Sequence, residues 1–166
     1  MNINFKKIVI QKIGDHIEEE LHALNTIAKK EKSFATSNEM QQEGKYDTRK
    51  IEASYLAGAQ ARRVDELNRE LNKFKNLSGE DVSKQNEIFV GTLVKCIKKE
   101  DLTESICYYF LSPGMGGIQI THEEKIIQVI SNQSPIGKEL MQLERGDSFE
   151  LKTKKGTLEF EIKSIV

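Results

Sequence analysis

The sequence predicts an α+β protein: an N-terminal antiparallel two-helix coiled-coil hairpin, then a C-terminal antiparallel sheet carrying one short helix. Three observations predict it. Apolar residues recur at helical spacing through the first part of the chain. A polar, glycine-containing stretch from Leu77 to Asn86 follows. Beyond it the pattern switches to alternation with period two, broken by turn residues. The hairpin is thus assigned to residues 1–76, a linker to 77–86 and a second domain to 87–166.

The first helix is predicted from about residue 10 to 41. Ile10, Ile13, Ile17, Leu21, Leu24, Ala28 and Phe34 form a stripe, with Glu18, Glu19, Lys29 and Lys30 off it. The second is predicted from about 48 to 76, with Ile51, Ala57, Ala61, Val64, Leu67, Leu71 and Phe74 as its stripe. Small residues near its start (Ala53, Ala57, Gly58, Ala59, Ala61) allow close backbone approach, although Gly58 costs ~1 kcal/mol of helix propensity. Between the helices, Gly44 is a natural stop and Asp47 or Thr48 a natural N-cap. A short connection between long amphipathic helices makes them antiparallel neighbours. A helix of roughly 30 residues spans ~45 Å, so Glu43 to Arg49 are expected at the end of a rod, far from the second domain.

In the second domain, Ile88 to Ile97 and Glu104 to Leu111 read as strands, the latter ending at the turn signal Ser112-Pro113-Gly114-Met115-Gly116-Gly117. Gly117 to Ile120 and Ile126 to Ile130 read as short strands. Ser134 caps a short helix with Pro135 at its first position, where the missing N–H costs nothing. Phe149 to Thr153 and Leu158 to Ile165 form a final hairpin with Lys155-Gly156 in the turn.

Composition limits what such a chain does. Of its 166 residues, 37% are hydrophobic and 31% charged, with a net charge of -1. The pI of about 6.3 and mean hydropathy of -0.52 fit much exposed surface. A protein that coats nucleic acid relies on phosphate neutralisation, so a protein partner is easier to justify. The N-terminal apolar run is short and broken by Gln11, Lys12 and Gly14, unlike a signal peptide. No stretch approaches the ~20 apolar residues of a membrane span, and the expected location is cytoplasmic. Cys96 and Cys107 belong to no CxxC pair; a disulfide between them would call for an oxidising compartment, and two reduced, buried thiols are the expected state. His16, His22 and His122 are too scattered for a metal site. Gly114, Gly116 and Gly117 are not followed by the Lys-Ser/Thr of a phosphate loop. Ser134 and Ser148 have no triad partners in their sequence context.

The stretch Ser134-Pro135-Ile136-Gly137-Lys138-Glu139-Leu140, followed by Arg145-Gly146-Asp147-Ser148-Phe149-Glu150-Leu151 and an alternating tail, resembles the C-terminal domain of the GreA/GreB transcription elongation factors. The resemblance is closest over Ser131 to Val166 and looser over Gly44 to Leu67. It implies a coiled-coil hairpin joined to an FKBP-like domain, acting on RNA polymerase as a monomeric accessory factor rather than as a free-standing enzyme. In that family the rod enters the polymerase secondary channel, and two tip carboxylates help hold a second Mg2+ and a water in the polymerase active site. Hydrolysis of backtracked RNA is thereby stimulated. Two-metal hydrolysis and the preference of magnesium for hard oxygen ligands make this chemistry available to a protein that donates carboxylates alone. The aromatic residues Phe89, Tyr108, Tyr109, Phe110, Phe149 and Phe160 alternate towards a core, which argues against a prolyl isomerase pocket.

The tip departs from the family pattern Asp-Leu-x-Glu-Asn-Ala-Glu-Tyr. Here Asp47-Thr48-Arg49-Lys50-Ile51-Glu52-Ala53-Ser54-Tyr55 stands in the similar place. Asp47 and Glu52 lie five residues apart, about 140° around a helix at ~100° per residue, and do not chelate together. Asp47 is therefore preferred as the essential acid with Glu43 as its neighbour and joint Mg2+ ligand. Glu52 remains a candidate for a catalytic, structural or polymerase contact. Lys45, Arg49, Lys50, Arg62 and Arg63 are candidates to meet polymerase or the nascent RNA 3′ end, against the plainer reading of a solvated helix face. Tyr55 is read first as packing across the hairpin, with nucleotide stacking second. Two other functions stay open: a regulator that occupies the channel without promoting cleavage, and a coiled coil that assembles with itself or an unrelated partner.

Overall fold

The computed structural model describes residues 2–35, 48–77, 87–100, 103–154 and 156–166. They form two compact units, one of residues 14–72 and one of residues 1–13 with 73–166. Helix α1 spans Ile3–Ala35 and helix α2 spans Thr48–Lys75. The second matches the expected bounds, but the first begins well before residue 10. Asn2 supplies the reason: its Oδ1 accepts the Phe5 N–H at 2.9 Å, capping the first turn. The buried stripe runs back through Val9 to Lys6, four and three residues apart. A lysine at a buried position disguises the helical period there.

Within the 14–72 unit, Ile17, Leu21, Leu67 and Leu71 are buried. Leu24 and Val64 are half-buried, whereas Ala28, Ala57 and Ala61 are exposed. Arg63 of α2 meets Glu20 of α1, with Nε and Nη2 donating to the same Oε1 at 3.0 and 2.8 Å. That pairing sets the helices side by side and brings Ile17 level with the Leu67 turn. The apolar seam is thus strong near Leu67 and thin towards the start of α2. Alanine side chains offer little apolar area to remove from water, at about 25 cal/mol per Å².

The other unit is built on one six-stranded sheet: β1 (Leu93–Glu100), β2 (Thr103–Ser112), β3 (Ile118–His122), β4 (Lys125–Ser131), β5 (Ser148–Thr153) and β6 (Gly156–Ile165). The order is β3-β4-β2-β1-β6-β5. The sheet is mixed rather than wholly antiparallel, because β2 and β4 pair in parallel from Tyr108↔Ile127 to Ser112↔Ser131. The segment Pro113–Gly117 is therefore a crossover that carries the chain past β4 to β3, not a hairpin turn. Gly116 makes the passage sterically feasible, since a Cβ there would lie 2.9 Å from the Ser131 nitrogen. The expected strand from Ile88 to Ile97 is also divided. Ile88 exchanges backbone hydrogen bonds with Gln142 and Leu143 at 3.0 and 2.9 Å, and β1 begins only at Leu93.

Side chains alternate between the two sheet faces. One face receives residues from the ends of the two helices within this unit: Phe74 stacks on Phe110 with ring centroids 6.1 Å apart, and Phe5 stacks on His122 at 5.6 Å. Lys125 Nζ lies 5.4 Å from the Phe5 ring centroid, and Lys12 Nζ donates to the Thr121 carbonyl at 2.8 Å. The opposite face holds a core of Val94, Cys96, Tyr109, Leu111, Phe149, Phe160 and Ile162, joined by Leu140 of α3 (Pro135–Leu140). Phe149 and Phe160 stack at 4.8 Å and Tyr109 meets Phe160 edge-on at 6.3 Å. These rings are committed to packing.

Candidate functional site

The Ser-Pro-Ile-Gly motif organises the joint between β4 and α3. Ser134 is extended (φ -68, ψ 158) and caps α3, its Oγ accepting the Gly137 N–H at 3.0 Å. The same hydroxyl donates to the Ser131 carbonyl at 2.7 Å, and the Ser134 N–H donates to that carbonyl at 3.0 Å. Pro135 follows as the first helical residue. Gly137 is buried against this carbonyl, so that any Cβ would overlap the Ser131 oxygen. The Arg145-Gly146-Asp147 turn is equally built. Asp147 Oδ2 accepts the Glu144 N–H at 2.8 Å, while the Gly146 N–H and the Asp147 carbonyl bond the two sides of Ile162 at 2.9 and 2.8 Å. The most recognisable part of the sequence is thus scaffold, holding the turn into β5.

The candidate contact residues other than Lys45 lie on α2. Arg49 and Lys50 are in its first turn, and Glu52, Tyr55 and Arg62 are exposed along it. Glu43, Lys45 and Asp47 lie outside the described residues. Tyr55 is 76% exposed, which overturns its expected packing across the hairpin. Ile51 and Leu56, 59% and 53% exposed, accompany it. Residues three or four apart are neighbours on a helix. Ile51 therefore adjoins Tyr55, while Glu52 adjoins both Tyr55 and Leu56. The start of α2 presents an apolar and aromatic surface with an acid set into it. The sequence pattern places Ile51 on the buried stripe and Leu56 with Tyr55 in packing across the hairpin, and the exposure of all three departs from that. Its signal was the run of alanines, too small to cover larger neighbours.

Arg63 differs from Arg62. Its guanidinium is held by Glu20 at 2.8 Å, with Glu66 at 3.7 Å, which makes it a cross-helix staple. Among the described residues no group of three or more His, Cys, Asp or Glu is assembled that would hold a metal ion. No described helix is long and apolar enough to cross a membrane.

The comparisons with known proteins agree with the motifs. Residues 83–166, just over half of the chain, match the family described as "Transcription elongation factor, GreA/GreB, C-term". The transcription elongation factor GreA of Acetivibrio thermocellus is 27% identical over 166 residues, covering 96% of each chain. That of Clostridium kluyveri is 28% identical over 156 residues, covering 90% of this chain and 89% of the relative. Among solved structures, Gfh1 of Thermus aquaticus aligns at 17% identity and a TM-score of 0.39, covering 91% of this chain and 92% of its own. GreA factor homolog 1 of Thermus thermophilus aligns at 20% identity and a TM-score of 0.36, covering 92% and 94%. With a C-terminal motif built as its sequence requires, and a family match across more than half its length, this chain belongs to the GreA/GreB family of transcription elongation factors.

Proposed function

We propose that this protein binds RNA polymerase with its helical hairpin in the secondary channel and stimulates cleavage of backtracked RNA. The observation that carries the reading is the family match over residues 83–166, attached to a helical hairpin that offers unburied side chains near the start of α2. A hairpin that leaves Ile51, Tyr55 and Leu56 in water is suited to receiving a protein surface there, since burying such residues on binding is favourable. Asp47, the residue before α2, and Glu43 would donate hard oxygen ligands to the polymerase's second Mg2+, which supplies the activation of water. Glu52, Arg49, Lys50, Arg62 and Lys45 would contact the channel or the nascent RNA 3′ end. Arg63, already paired, would keep the two helices in register.

The sequence spacing favours a second reading, a channel-occupying regulator that does not promote cleavage. Glu52 lies five residues beyond Asp47 in sequence, against three in the family pattern, a spacing that would turn the two acids about 140° apart on a helix. A photo-crosslinker at position 55, applied to stalled elongation complexes, tests placement for both readings. Crosslinks to polymerase segments lining the channel, or to the RNA 3′ end, are expected. Crosslinks confined to another copy of the chain would sink both in favour of a self-assembling coiled coil. Alanine at Glu43 and Asp47 then separates the two. Lost cleavage with retained binding supports the first, and an unchanged effect on transcription supports the second.

A further inference from the structure

The elongation-factor reading leaves one reactive cluster unused. Cys96 of β1 and Cys107 of β2 are both free thiols, and they are direct partners in the antiparallel register. Directly opposed residues project to the same face. The kind of pair follows from the ladder nearby. The Leu111 N–H donates to the Thr92 carbonyl at 2.9 Å, and hydrogen-bonded pairs alternate along antiparallel strands. Counting in twos from Thr92 and Leu111 makes Cys96 and Cys107 a hydrogen-bonded pair, with Cα atoms about 5.5 Å apart. That separation lies within the span of about 4.4–6.8 Å that disulfides bridge, and the β-carbons, about 5.5 Å apart in a hydrogen-bonded pair, must close to about 4.5 Å or less for the bond to form. Cys96 is buried and Cys107 only half-buried, so a solvent oxidant reaches the second first. Tyr109 lies two residues on, on the same face of β2.

We propose that Cys96 and Cys107 are a peroxide-sensitive pair that closes into a cross-strand disulfide within the folded chain. The Cys107 thiolate attacks hydrogen peroxide. An S–O bond forms, the O–O bond breaks, and the departing hydroxide takes up the thiol proton as water. The sulfur of Cys96 then attacks Cys107 Sγ. The S–S bond forms, the S–O bond breaks, and hydroxide leaves with the Cys96 proton as a second water. Two thiols and one peroxide give one disulfide and two waters.

The environment orders these steps. Burial, and then the adjacent charge of Cys107, push the Cys96 thiol up to about 12, which keeps it from reacting first. Conversion of Cys107 to a neutral sulfenic acid removes the second of those causes just when Cys96 must act. The product would fasten β1 to β2 on the core face.

The chain has two cysteines, so its thiol count reports this pair alone. The reduced full-length protein is exposed to hydrogen peroxide, quenched, alkylated under denaturing conditions, and read by intact mass and peptide mapping. The expected product is monomeric, has lost two hydrogens, resists alkylation, carries a Cys96–Cys107 link and reverts with dithiothreitol. Cys96→Ala is expected to stop at a Cys107 sulfenic acid that a dimedone-type nucleophile traps. In Cys107→Ser, Cys96 is expected to oxidise roughly tenfold or more slowly than Cys107 does in the wild type. Sulfinic or sulfonic acid at Cys107 beside an intact Cys96 thiol in the wild type would overturn the proposal, as would disulfides found only between chains. Because the wild type alone gives the decisive readout, a variant that folds poorly leaves the test intact.

Discussion

At Gly137 the family motif reduces to a steric requirement. The buried α-carbon faces the Ser131 carbonyl, which also accepts two hydrogen bonds from Ser134. Gly137→Ala must push apart β4 and α3, and overpacking of this sort costs about 1–3 kcal/mol. Urea unfolding is expected to show a loss near the top of that range, and a change below about 0.5 kcal/mol would contradict the geometry. The second residue-scale prediction concerns alkaline pH. Burial, then the charge of Cys107, raises Cys96 from 9.0 to about 12. Below pH 9 both folded and unfolded states keep this proton, so the stability it confers is fully present. Between about 9 and 12 the unfolded thiol ionises while the folded one does not, and stability falls with rising pH by up to about 1.4 kcal/mol per pH unit from this group. Tyr109, raised chiefly by burial and then by Cys107, adds a similar decline above pH 10. Chemical denaturation across this window is expected to give a shallower slope for Cys96→Ala, and a slope equal to the wild type would contradict the assignment.

Helices and strands were largely legible in the sequence, and the misses have separate physical causes. The start of α1 was hidden because Lys6 occupies a buried position. The parallel pairing of β2 with β4 was hidden because alternation reports a strand but not its neighbour. Pro113 to Gly117 reads equally well as a turn or as a crossover. The seam of the hairpin was legible in direction but not in depth: periodicity located Leu67 and Ile51 on one stripe, and only packing distinguishes a buried leucine from an isoleucine left 59% exposed. Of the site, the motif carrying the family was legible in full, whereas Glu43, Lys45 and Asp47 lie outside the described residues. Leu67→Ala is expected to cost about 2–5 kcal/mol, while Tyr55→Ala should change stability by no more than about 0.5 kcal/mol. Thermal melts of the two variants compare them directly. Equal losses would contradict the graded seam. The Arg63–Glu20 staple is half-exposed, so a double-mutant cycle is expected to give a coupling below about 1 kcal/mol that weakens with added salt.

At the scale of the whole molecule, the residues that hold the fold and the exposed apolar residues of α2 are separate sets. The sheet core, α3 and the Leu67 end of the hairpin hold the fold, while the start of α2 carries exposed Ile51, Glu52, Tyr55 and Leu56 that no fold requirement explains. Under the proposed function, that end is the one that meets the polymerase. Near-neutral net charge fits recognition of a protein channel better than of bare nucleic acid. Variants Ile51→Ser and Leu56→Ser are accordingly expected to weaken polymerase binding while leaving the thermal melt in place. The most direct test of the central claim is RNA cleavage in stalled, backtracked elongation complexes, comparing the wild type with Asp47→Ala while polymerase binding is measured in parallel. The account predicts RNA shortening that the substitution abolishes with binding retained. Wild-type protein that binds the complexes and leaves the RNA at full length would contradict it.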